Sequence, residues 1–333
     1  MKSPNQSRSY RALLASVFGL IASISGAQPA FSDDRPSSEA RRPANDDELR
    51  FWLRTMLVGH HYSLPEAAEA GGLSIREVNS STTRLGINPG EKPAGRGPSD
   101  PLTVLPYPGG RHPRIGFLDG AVNPQRETKF SVFTPWDASS YVVVDLPEAV
   151  WSNLGLTYLA HTHVPTVWDK KGVTLPRQEW VRKPGGVLES ERTLPNGIVF
   201  STKVVPRPGS VRMTLTLKNG TDSTLSDLRV QMCVMLKRAN GFARQTNDNK
   251  VFQPPYAACK SEDGKRWIIS AWTECHRAWG NAPCPCLHSD PKLPDCPVGE
   301  NRVVRGWLSF YEGEDLAAEI RRIDGTGWKL GGD

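Results

Sequence analysis

The sequence predicts a mainly β protein, an antiparallel β-sandwich that is preceded by a small segment of three helices. From Arg114 onward, short runs rich in β-branched and aromatic residues are separated by turn residues, which is the pattern of antiparallel strands. Apolar and polar side chains alternate over residues 211–218, which indicates one buried and one open face. No long helical pattern alternates with these strands, so a doubly wound parallel sheet is not expected. We assign residues 114–333 to the sandwich domain.

The first 27 residues have the composition of a signal peptide for export. Lys2, Arg8 and Arg11 precede an apolar stretch, and the small residues Ser25 and Ala27 follow it. The apolar stretch is shorter than the roughly 20 residues that a membrane-spanning helix needs, so an uncleaved anchor is the less favoured alternative. We expect an exported protein, in the periplasm, the cell envelope or the medium, with no membrane insertion after signal cleavage.

The charge balance argues against nucleic acid as a partner. The full chain has a formal net charge of +6, and the predicted signal carries three positive charges, so the mature chain would carry +6 − 3 = +3. Such a small and dispersed surplus differs from the clustered basic surface of nucleic-acid-binding proteins. No nucleic acid partner is expected.

A helical module is predicted between two segments of irregular structure. Residues 28–45 are polar and contain proline, which predicts a disordered tether. Residues 46–87 predict three short helices, since apolar residues recur at three- and four-residue spacing in the first helix. Residues 88–113 hold seven prolines and five glycines, which predicts a linker.

The starts of the second and third helices are marked by capping signals. Ser63 with Glu66, and Ser74 with Glu77, have the spacing of capping boxes. The stretch SLPEAAEAGGLSIREVNSS, residues 63–81, resembles a helix-turn-helix motif, in which a glycine turn precedes the recognition helix. We expect the module of residues 46–87 to be able to dock a protein partner.

Residues 196–236 resemble part of the β-supersandwich of galactose-mutarotase-like domains. In this stretch a strand ends in a proline turn, an alternating strand follows, and KNGT turns the chain into a returning strand. The resemblance covers about half of the β region. It implies a supersandwich-like fold, which carbohydrate-active proteins share. The whole chain also resembles a group of exported bacterial proteins.

Two histidines one residue apart, His161 and His163, form the first candidate site. In a strand over residues 156–164 they would point to the same face, about 6.5 Å apart. Neutral imidazoles at this spacing can share a zinc, copper or iron ion. The alternative is that both rings form hydrogen bonds in a groove or face solvent.

Other residues would have to complete either a metal site or an acid–base pair at these histidines. The candidate ligands that would complete a divalent metal site are His288, Asp290 and Glu274. If the site acts on a substrate without a metal, His161 or His163 would serve as general acid or base, because histidine titrates near neutral pH. The catalytic carboxylate opposite would then be Glu274 or Asp290.

The chain contains six cysteines, an even number that favours disulfides in an exported protein. They are Cys233, Cys259, Cys275, Cys284, Cys286 and Cys296. Their spacing does not determine the pairing. Four of them lie with two histidines in residues 274–300, so a metal-binding loop is the alternative there. Oxidation of thiols outside the cytoplasm makes that alternative the weaker one.

The ten tryptophans suggest a surface for sugar rings, although most of them should lie in the core. Trp168, Trp272 and Trp279 are the candidates, because each is close in sequence to polar, turn-rich segments. The polar residues expected to contact a substrate are Arg126, Arg229, Gln231, His288 and Asp290, with Glu127 as a weaker candidate.

The leading hypothesis is an exported carbohydrate-binding or carbohydrate-processing β-sandwich protein, whose partner would be a glycan or polysaccharide. One alternative is a metal-dependent enzyme centred on His161 and His163. Another is a non-catalytic interaction protein of the cell envelope that binds its partner through residues 46–87. The sequence does not decide whether the protein is an enzyme.

Overall fold

The computed structural model describes residues 40–91, 97, 99–116, 126–161 and 163–331. The predicted signal peptide, residues 1–27, and most of the predicted tether lie outside the described residues. Within them, none of the helices has the length and apolar character to cross a membrane. The predicted fold class is confirmed, because the chain is mainly β, with two antiparallel sheets that follow a small group of helices.

Three helices precede the strands in the described part of the chain. Their bounds are Asp46–Leu53 (α1), Leu64–Gly71 (α2) and Ile75–Arg84 (α3), and α1 continues as π-helix over Arg54–Gly59. The side chains of Ser63 and Ser74 cap α2 and α3. In turn, the carboxylates of Glu66 and Glu77 accept hydrogen bonds from the backbone amides of these two serines. Both predicted capping boxes are therefore confirmed, whereas the likeness to a helix-turn-helix motif stays a prediction.

Fifteen strands and a fourth helix follow among the described residues. In chain order the strands are β1 Val104–Pro106, β2 Lys129–Phe133, β3 Tyr141–Ser152, β4 Gly155–Leu159, β5 Val181–Arg182, β6 Leu188–Thr193, β7 Ile198–Arg207, β8 Ser210–Asn219, β9 Arg229–Met235, β10 Lys250–Gln253, β11 Tyr256–Lys260, β12 Arg266–Trp272, β13 Cys275–Trp279, β14 Cys286–Pro291 and β15 Asn301–Glu312. The last helix is α4, Leu316–Asp324. Part of the stretch predicted as a linker, Val104–Pro106, pairs with β2 as β1.

The strands form one sheet of seven strands and one of eight. The first has the order β1-β2-β3-β9-β14-β13, with β4 added along β3, and the second has the order β10-β11-β12-β15-β8-β7-β6-β5. The alternation predicted over residues 211–218 is present, since Val211, Met213 and Leu215 are buried in the core between the sheets. Apolar residues of the first sheet, such as Phe130 and Val144, contribute to the same core.

The first sheet is also buried on its other face, where an apolar cluster that includes Phe133, Val143 and Met235 adjoins a group of polar side chains. Lys129 in β2, Asp145 in β3 and Cys233 in β9 are all inaccessible to solvent there. Side chains alternate between the two faces of a strand, so these polar residues point away from the core between the sheets. This buried polar face positions the candidate site.

The helices have an apolar core of their own and contact the first sheet through His60. The His60 ring is buried, with Nδ1 2.7 Å from the carbonyl oxygen of Thr55 and Nε2 2.8 Å from Oγ of Ser131 in β2. Burial lowers the pKa of His60 to about 3. The neutral ring therefore joins the π-helical segment to the sheet.

Acidification should weaken this junction. The His60 ring stays neutral in the folded protein down to about pH 3, whereas in the unfolded chain it takes up a proton below about pH 6.5. Its contribution to stability is therefore complete above pH 6.5 and is lost as the pH falls toward 3. In urea denaturation, His60→Gln should lower the free energy of unfolding at pH 7. When the pH is lowered from 7 to 4, the free energy of unfolding of His60→Gln should decrease by about 3 kcal/mol less than that of the wild type.

The matched control is His61→Asn. His61 is exposed and has a φ of 51°, a backbone conformation that asparagine tolerates. This variant should keep the pH dependence of the wild type. If His60→Gln kept the pH dependence of the wild type, the buried neutral ring of His60 would not be the cause of the loss of stability in acid.

Candidate functional site

A cluster of buried charged side chains lies on the polar face of the first sheet. Lys129 Nζ is 2.9 Å from Asp145 Oδ1, and His161 Nε2 is 3.1 Å from Asp145 Oδ2. The same His161 nitrogen is 3.4 Å from Glu148 Oε1. All four side chains are at most 2% exposed. The cluster thus holds one imidazole against two carboxylates.

An irregularity in β3 brings the two carboxylates together. Asp145 and Glu148 are three residues apart, so a regular strand would direct them to opposite faces. The register of β3 against β9 shifts between Asp145 and Ala149, and such irregularities re-aim the side chains of a strand. Both carboxylates therefore reach His161.

Two cations compensate the two carboxylates. Lys129 pairs with Asp145, and Arg114 Nη2 is 2.5 Å from Glu148 Oε1. Burial by itself would raise the pKa of both carboxyl groups. The pKa of Asp145 is nevertheless lowered by Lys129 and His161, and that of Glu148 by Arg114 together with His161 and His288. Both acids are therefore ionised at neutral pH, and their charges are matched.

Glu148 connects His161 to a second group of residues that the sequence had suggested. Its Oε2 accepts a hydrogen bond from Gln231 Nε2 at 2.8 Å and lies 3.8 Å from His288 Nδ1. The His288 ring stacks on Trp279, with centroids 4.1 Å apart and planes inclined by 14°. The fold thus brings His161 and His288 to opposite oxygens of one carboxylate.

Asp290 holds this second group in place. Its Oδ2 accepts hydrogen bonds from Trp279 Nε1 at 2.6 Å and from Arg277 Nη2 at 3.1 Å. Its Oδ1 accepts one from the backbone of Met232 at 3.1 Å. Burial raises the pKa of Asp290 above its usual value. Asp290 is thus a positioning residue for Trp279 and, through the stacked indole, for His288.

Two thiols border the same region. Cys286 Sγ is 3.2 Å from His288 Nε2, and Arg114 Nη2 donates to Cys233 Sγ at 3.2 Å. A hydrogen bond from Cys233 and the neighbouring His288 lower the pKa of Cys286, whereas burial and Cys286 raise that of Cys233. The two thiols thus influence each other's ionisation, and Cys286 is the one next to the His288 ring.

The predicted disulfides are not formed in this structure. All six cysteines belong to the described residues, and all six are free thiols. Sheet pairing between β9 and β14 brings Cys233 near Cys286. The Sγ of Cys284 instead donates to the carbonyl oxygen of Gly116, and that of Cys296 to Glu300. Cys259 and Cys275 lie in β11 and β13. Disulfide formation in an exported chain stays a prediction.

Two sets of side chains in the described part of the chain could hold a metal ion, because the donor atoms within each set lie within 4.8 Å of one another. One set is Asp145, Glu148 and His161, and the other is Cys233, Cys286 and His288. In the first set, both carboxylates already pair with a cation. A divalent ion would have to displace both cations, whereas in the second set only Cys233 contacts a cation, Arg114, so the second set suits a metal better.

His163 does not belong to either set. The strand predicted over residues 156–164 ends at Leu159, because the chain leaves the edge of β3 once the Ala160 amide has bonded to the carbonyl of Glu148. The rings of His161 and His163 are 5.9 Å apart and inclined by 50°. Burial and the proximity of His161 lower the pKa of His163. The expected joint coordination of one ion by both histidines stays a prediction.

A cavity of about 310 Å³ opens beside His161. Its lining includes Arg41, Arg126, Glu127, Tyr158, His161, Trp168, Asp169, Arg177 and Arg192. The volume is at the lower end of the range for small-molecule sites. The indole Nε1 of Trp168 donates to the carbonyl of Thr157 at 2.7 Å, which fixes the ring against the wall. Of the predicted site residues, His161, Trp168 and Arg126 meet here, with Glu127.

Ion pairs hold the arginines of this cavity. Glu127 accepts from Arg41 and from Arg192, each at 2.5 Å. Glu179 accepts a hydrogen bond from Arg41 at 2.9 Å and forms an ion pair with Arg126 at 3.1 Å. Burial lowers the pKa of Arg126 to about 10, so it remains charged at neutral pH. The lining has four arginines and the acids Glu127 and Asp169, and Glu179, which pairs with Arg41 and Arg126 from outside the lining, brings the net charge of these groups to +4 − 3 = +1.

The remaining predicted residues lie elsewhere. Glu274 has a φ of 56° and lines a different cavity, of about 490 Å³, together with Trp272, Arg305 and Lys329. Trp272 is otherwise part of the core, at 1% exposure. Arg229 is exposed and pairs with Asp227 at 3.1 Å. Thus Glu274 does not line the cavity at His161, where the catalytic carboxylate was expected.

Sequence reasoning overlooked the residues that surround His161, namely Lys129, Asp145 and Glu148. The run YVVVDLPEAVW, residues 141–151, carries the only available signal. Acidic residues are rarely buried unless they are paired, so two of them within an apolar strand pattern indicate a buried polar site. The partner cations are separate in sequence and give no such signal.

Comparison with known proteins finds broad similarities of structure only. No family model and no curated protein matches the chain. A solved structure assigned as an aldose 1-epimerase of Escherichia coli K12 is 12% identical, with a TM-score of 0.31, over 41% of this chain and 69% of that one. A structure assigned as a kojibiose phosphorylase from the human microbiome is 7% identical, with a TM-score of 0.34, over 57% and 26%.

A third structure, the Slr1438 protein of Synechocystis sp. PCC 6803, is 10% identical, with a TM-score of 0.34, over 56% of this chain and 88% of that one. Values this low identify neither a family nor an activity. The functional conclusion therefore depends on the side chains around His161.

Breaking the buried pair of Lys129 and Asp145 should be strongly destabilising. Asp145→Asn keeps the shape of the side chain but leaves the Lys129 ammonium buried without its counter-ion. Loss of one partner of a buried ion pair costs about 3–5 kcal/mol, and urea denaturation at pH 7 measures this loss.

The matched control is Asp227→Asn, in which an acid paired with exposed Arg229 and Lys292 is neutralised. Exposed pairs contribute at most about 1 kcal/mol, so this variant should be close to the wild type. If Asp145→Asn and Asp227→Asn lowered the free energy of unfolding equally, burial of the pair of Lys129 and Asp145 would not explain its contribution to stability.

Proposed function

We propose that the protein binds a carbohydrate in the cavity beside His161 and moves a proton on that ligand through the His161 imidazole. One observation carries the proposal. His161 lines the cavity and, at the same time, contacts Asp145 and Glu148 behind it. The His161 side chain itself has no exposed surface, so a ligand in the cavity would reach this imidazole, which two ionised carboxylates orient, only after a small shift of the cavity wall.

The cavity offers the contacts that a sugar needs. Hydroxyl groups both donate and accept hydrogen bonds, and the lining alternates guanidinium donors with the acceptors Glu127 and Asp169. Tyr158 and Trp168 also line the cavity, but they are 2% and 4% exposed and belong to the core, so they offer only a small aromatic surface to a sugar ring. The surplus of one positive charge favours a saccharide that carries a carboxylate, such as a uronic acid.

Proton transfer is the chemistry that this arrangement favours. Histidine is the side chain that most often exchanges protons with a substrate near neutral pH. Asp145 and Glu148 would hold the ring in one orientation and would balance the charge that it gains on protonation. A metal ion at His161 and His163 is less favoured, because Asp145 and Glu148 would first have to leave Lys129 and Arg114.

The proposal includes export. The signal-like residues 1–27 favour a location in which envelope or extracellular glycans are available. Sequencing the amino terminus of the native protein tests this point, and cleavage after residue 27 is the expected result. A native protein that is found in the cytoplasm with its first residues intact would contradict export.

Binding and conversion can be separated by two variants. Calorimetric titration with neutral and acidic mono- and oligosaccharides measures binding, and NMR of the sugar protons follows conversion. In His161→Gln, affinity should change by less than about threefold, whereas conversion should fall by about 10²-fold or more. In Arg177→Gln, affinity should fall by about tenfold, because a hydrogen bond to a charged group is lost.

Arg229→Gln is the matched control, since Arg229 is an exposed arginine that does not line the cavity. It should bind and convert the ligand as the wild type does. The proposal fails if the wild type binds no saccharide at millimolar concentration. Proton transfer through His161 fails if conversion by His161→Gln equals that of the wild type.

A further inference from the structure

Three soft donors converge on the polar face of the first sheet, next to the proton-transfer site but apart from the cavity. They are the thiols of Cys233 and Cys286 and the imidazole of His288. None of the three lines the cavity beside His161. We propose that they form a binding site for a thiophilic d¹⁰ metal ion, Zn²⁺ or Cu⁺.

The distances between the donors suit such an ion. The three donor atoms lie within 4.8 Å of one another, and Cys286 Sγ is 3.2 Å from His288 Nε2. Zinc bonds of about 2.3 Å to sulfur and about 2.0–2.1 Å to nitrogen, at tetrahedral angles, separate these two atoms by about 3.5 Å. Only small side-chain movements are needed to admit the ion.

Strand pairing holds the donors on a rigid support. His288 in β14 is opposite Cys233 in β9, and Cys286 lies two residues before His288 on the same face of β14. All three side chains are at most 2% exposed. The site is therefore built from paired strands rather than from a loop, which favours precise coordination.

The surroundings of His288 are those of a metal ligand. Its Nε2 faces Cys286, while its Nδ1 is 3.8 Å from both Glu148 Oε2 and Asp290 Oδ1 and makes no hydrogen bond within the described residues. Histidines that bind metals usually donate their other ring N–H to a carboxylate. Coordination at Nε2 would leave the proton on Nδ1, and a small tilt of the ring would bring it to one of these acids.

The donor set selects the class of ion. Thiolates and imidazole prefer Zn²⁺ or Cu⁺ to Mg²⁺ or Ca²⁺, which prefer oxygen ligands. Two thiolates balance the charge of Zn²⁺, and Arg114, 3.2 Å from Cys233 Sγ, offsets the extra negative charge if Cu⁺ is bound. Among the described residues no fourth His, Cys, Asp or Glu joins the set, so a zinc ion would keep one position for an exogenous ligand.

The test uses the full mature chain, purified under reducing conditions and freed of metal with a chelator. Titration with Zn²⁺, with Cu⁺ and with Co²⁺ as a spectroscopic probe should reach one equivalent of bound ion. The Co²⁺ form should show a thiolate-to-cobalt charge-transfer band in the near ultraviolet. In Cys286→Ser and in His288→Gln the affinity should fall at least about 100-fold.

Two controls separate this site from its neighbours. Cys259→Ser removes a buried thiol in β11 that does not belong to the set, and it should bind as the wild type does. His161→Gln removes the histidine of the other donor set and should also leave thiolate coordination unchanged. X-ray absorption at the zinc edge of the unaltered protein should show two sulfur neighbours and one imidazole, which does not depend on the folding of any variant.

Three results would overturn the proposal. One is a bound Co²⁺ ion without a thiolate band, and another is wild-type affinity in Cys286→Ser. The third is a protein in which Cys233 and Cys286 form a disulfide before reduction and which, after reduction, binds less than a tenth of an equivalent of each ion. That last result would assign the two thiols to a disulfide instead.

Discussion

The compensation of two buried carboxylates governs the arrangement of this protein's polar face. An ionised acid away from water is stable only when cations and donors surround it. Asp145 and Glu148 meet this requirement through Lys129, Arg114 and His161. These partners come from the start of β2, from the segment before it and from the residues after β4. Satisfying the charges of one strand thus fixes the positions of three other parts of the chain.

Glu148 also makes neighbouring chemistry interdependent. One of its oxygens faces His161 and the other faces Gln231 and His288. If a metal ion holds Nε2 of His288, the proton on Nδ1 competes with Gln231 for Glu148 Oε2. That would redistribute negative charge between the two oxygens and alter the field at His161. The metal would then influence proton transfer without contacting the ligand, through a single carboxylate shared by both histidines.

The sequence predicts the features that depend on local pattern. Alternation over residues 211–218 and the capping boxes at Ser63 and Ser74 require only neighbouring residues, and the structure contains both. The triplet of Trp279, His288 and Asp290 is also close in sequence, and it does come together. In contrast, Asp145 and Glu148 share a face only because β3 is irregular, and the one sign of this in the sequence is Pro147 between them, a residue that inner strands tolerate only at bulges. Glu274 was expected opposite His161, but it lines the other cavity, and no local pattern indicates which cavity a residue in a turn will line.

The ion pairs of the arginines beside His161 explain how a cavity with so many charges can still suit a ligand whose polar groups are mostly uncharged hydroxyls, with at most one carboxylate. Glu127 and Glu179 each bridge two guanidinium groups, so the side chains are ordered before any ligand arrives. A ligand then does not have to order them, which lowers the entropy cost of binding. Each bridging acid still has lone pairs that can accept from a hydroxyl group, and each guanidinium has further N–H groups to donate. A saccharide can therefore add hydrogen bonds to this network without breaking it, whereas an apolar ligand of the same size would bury those groups without replacing their contacts with water.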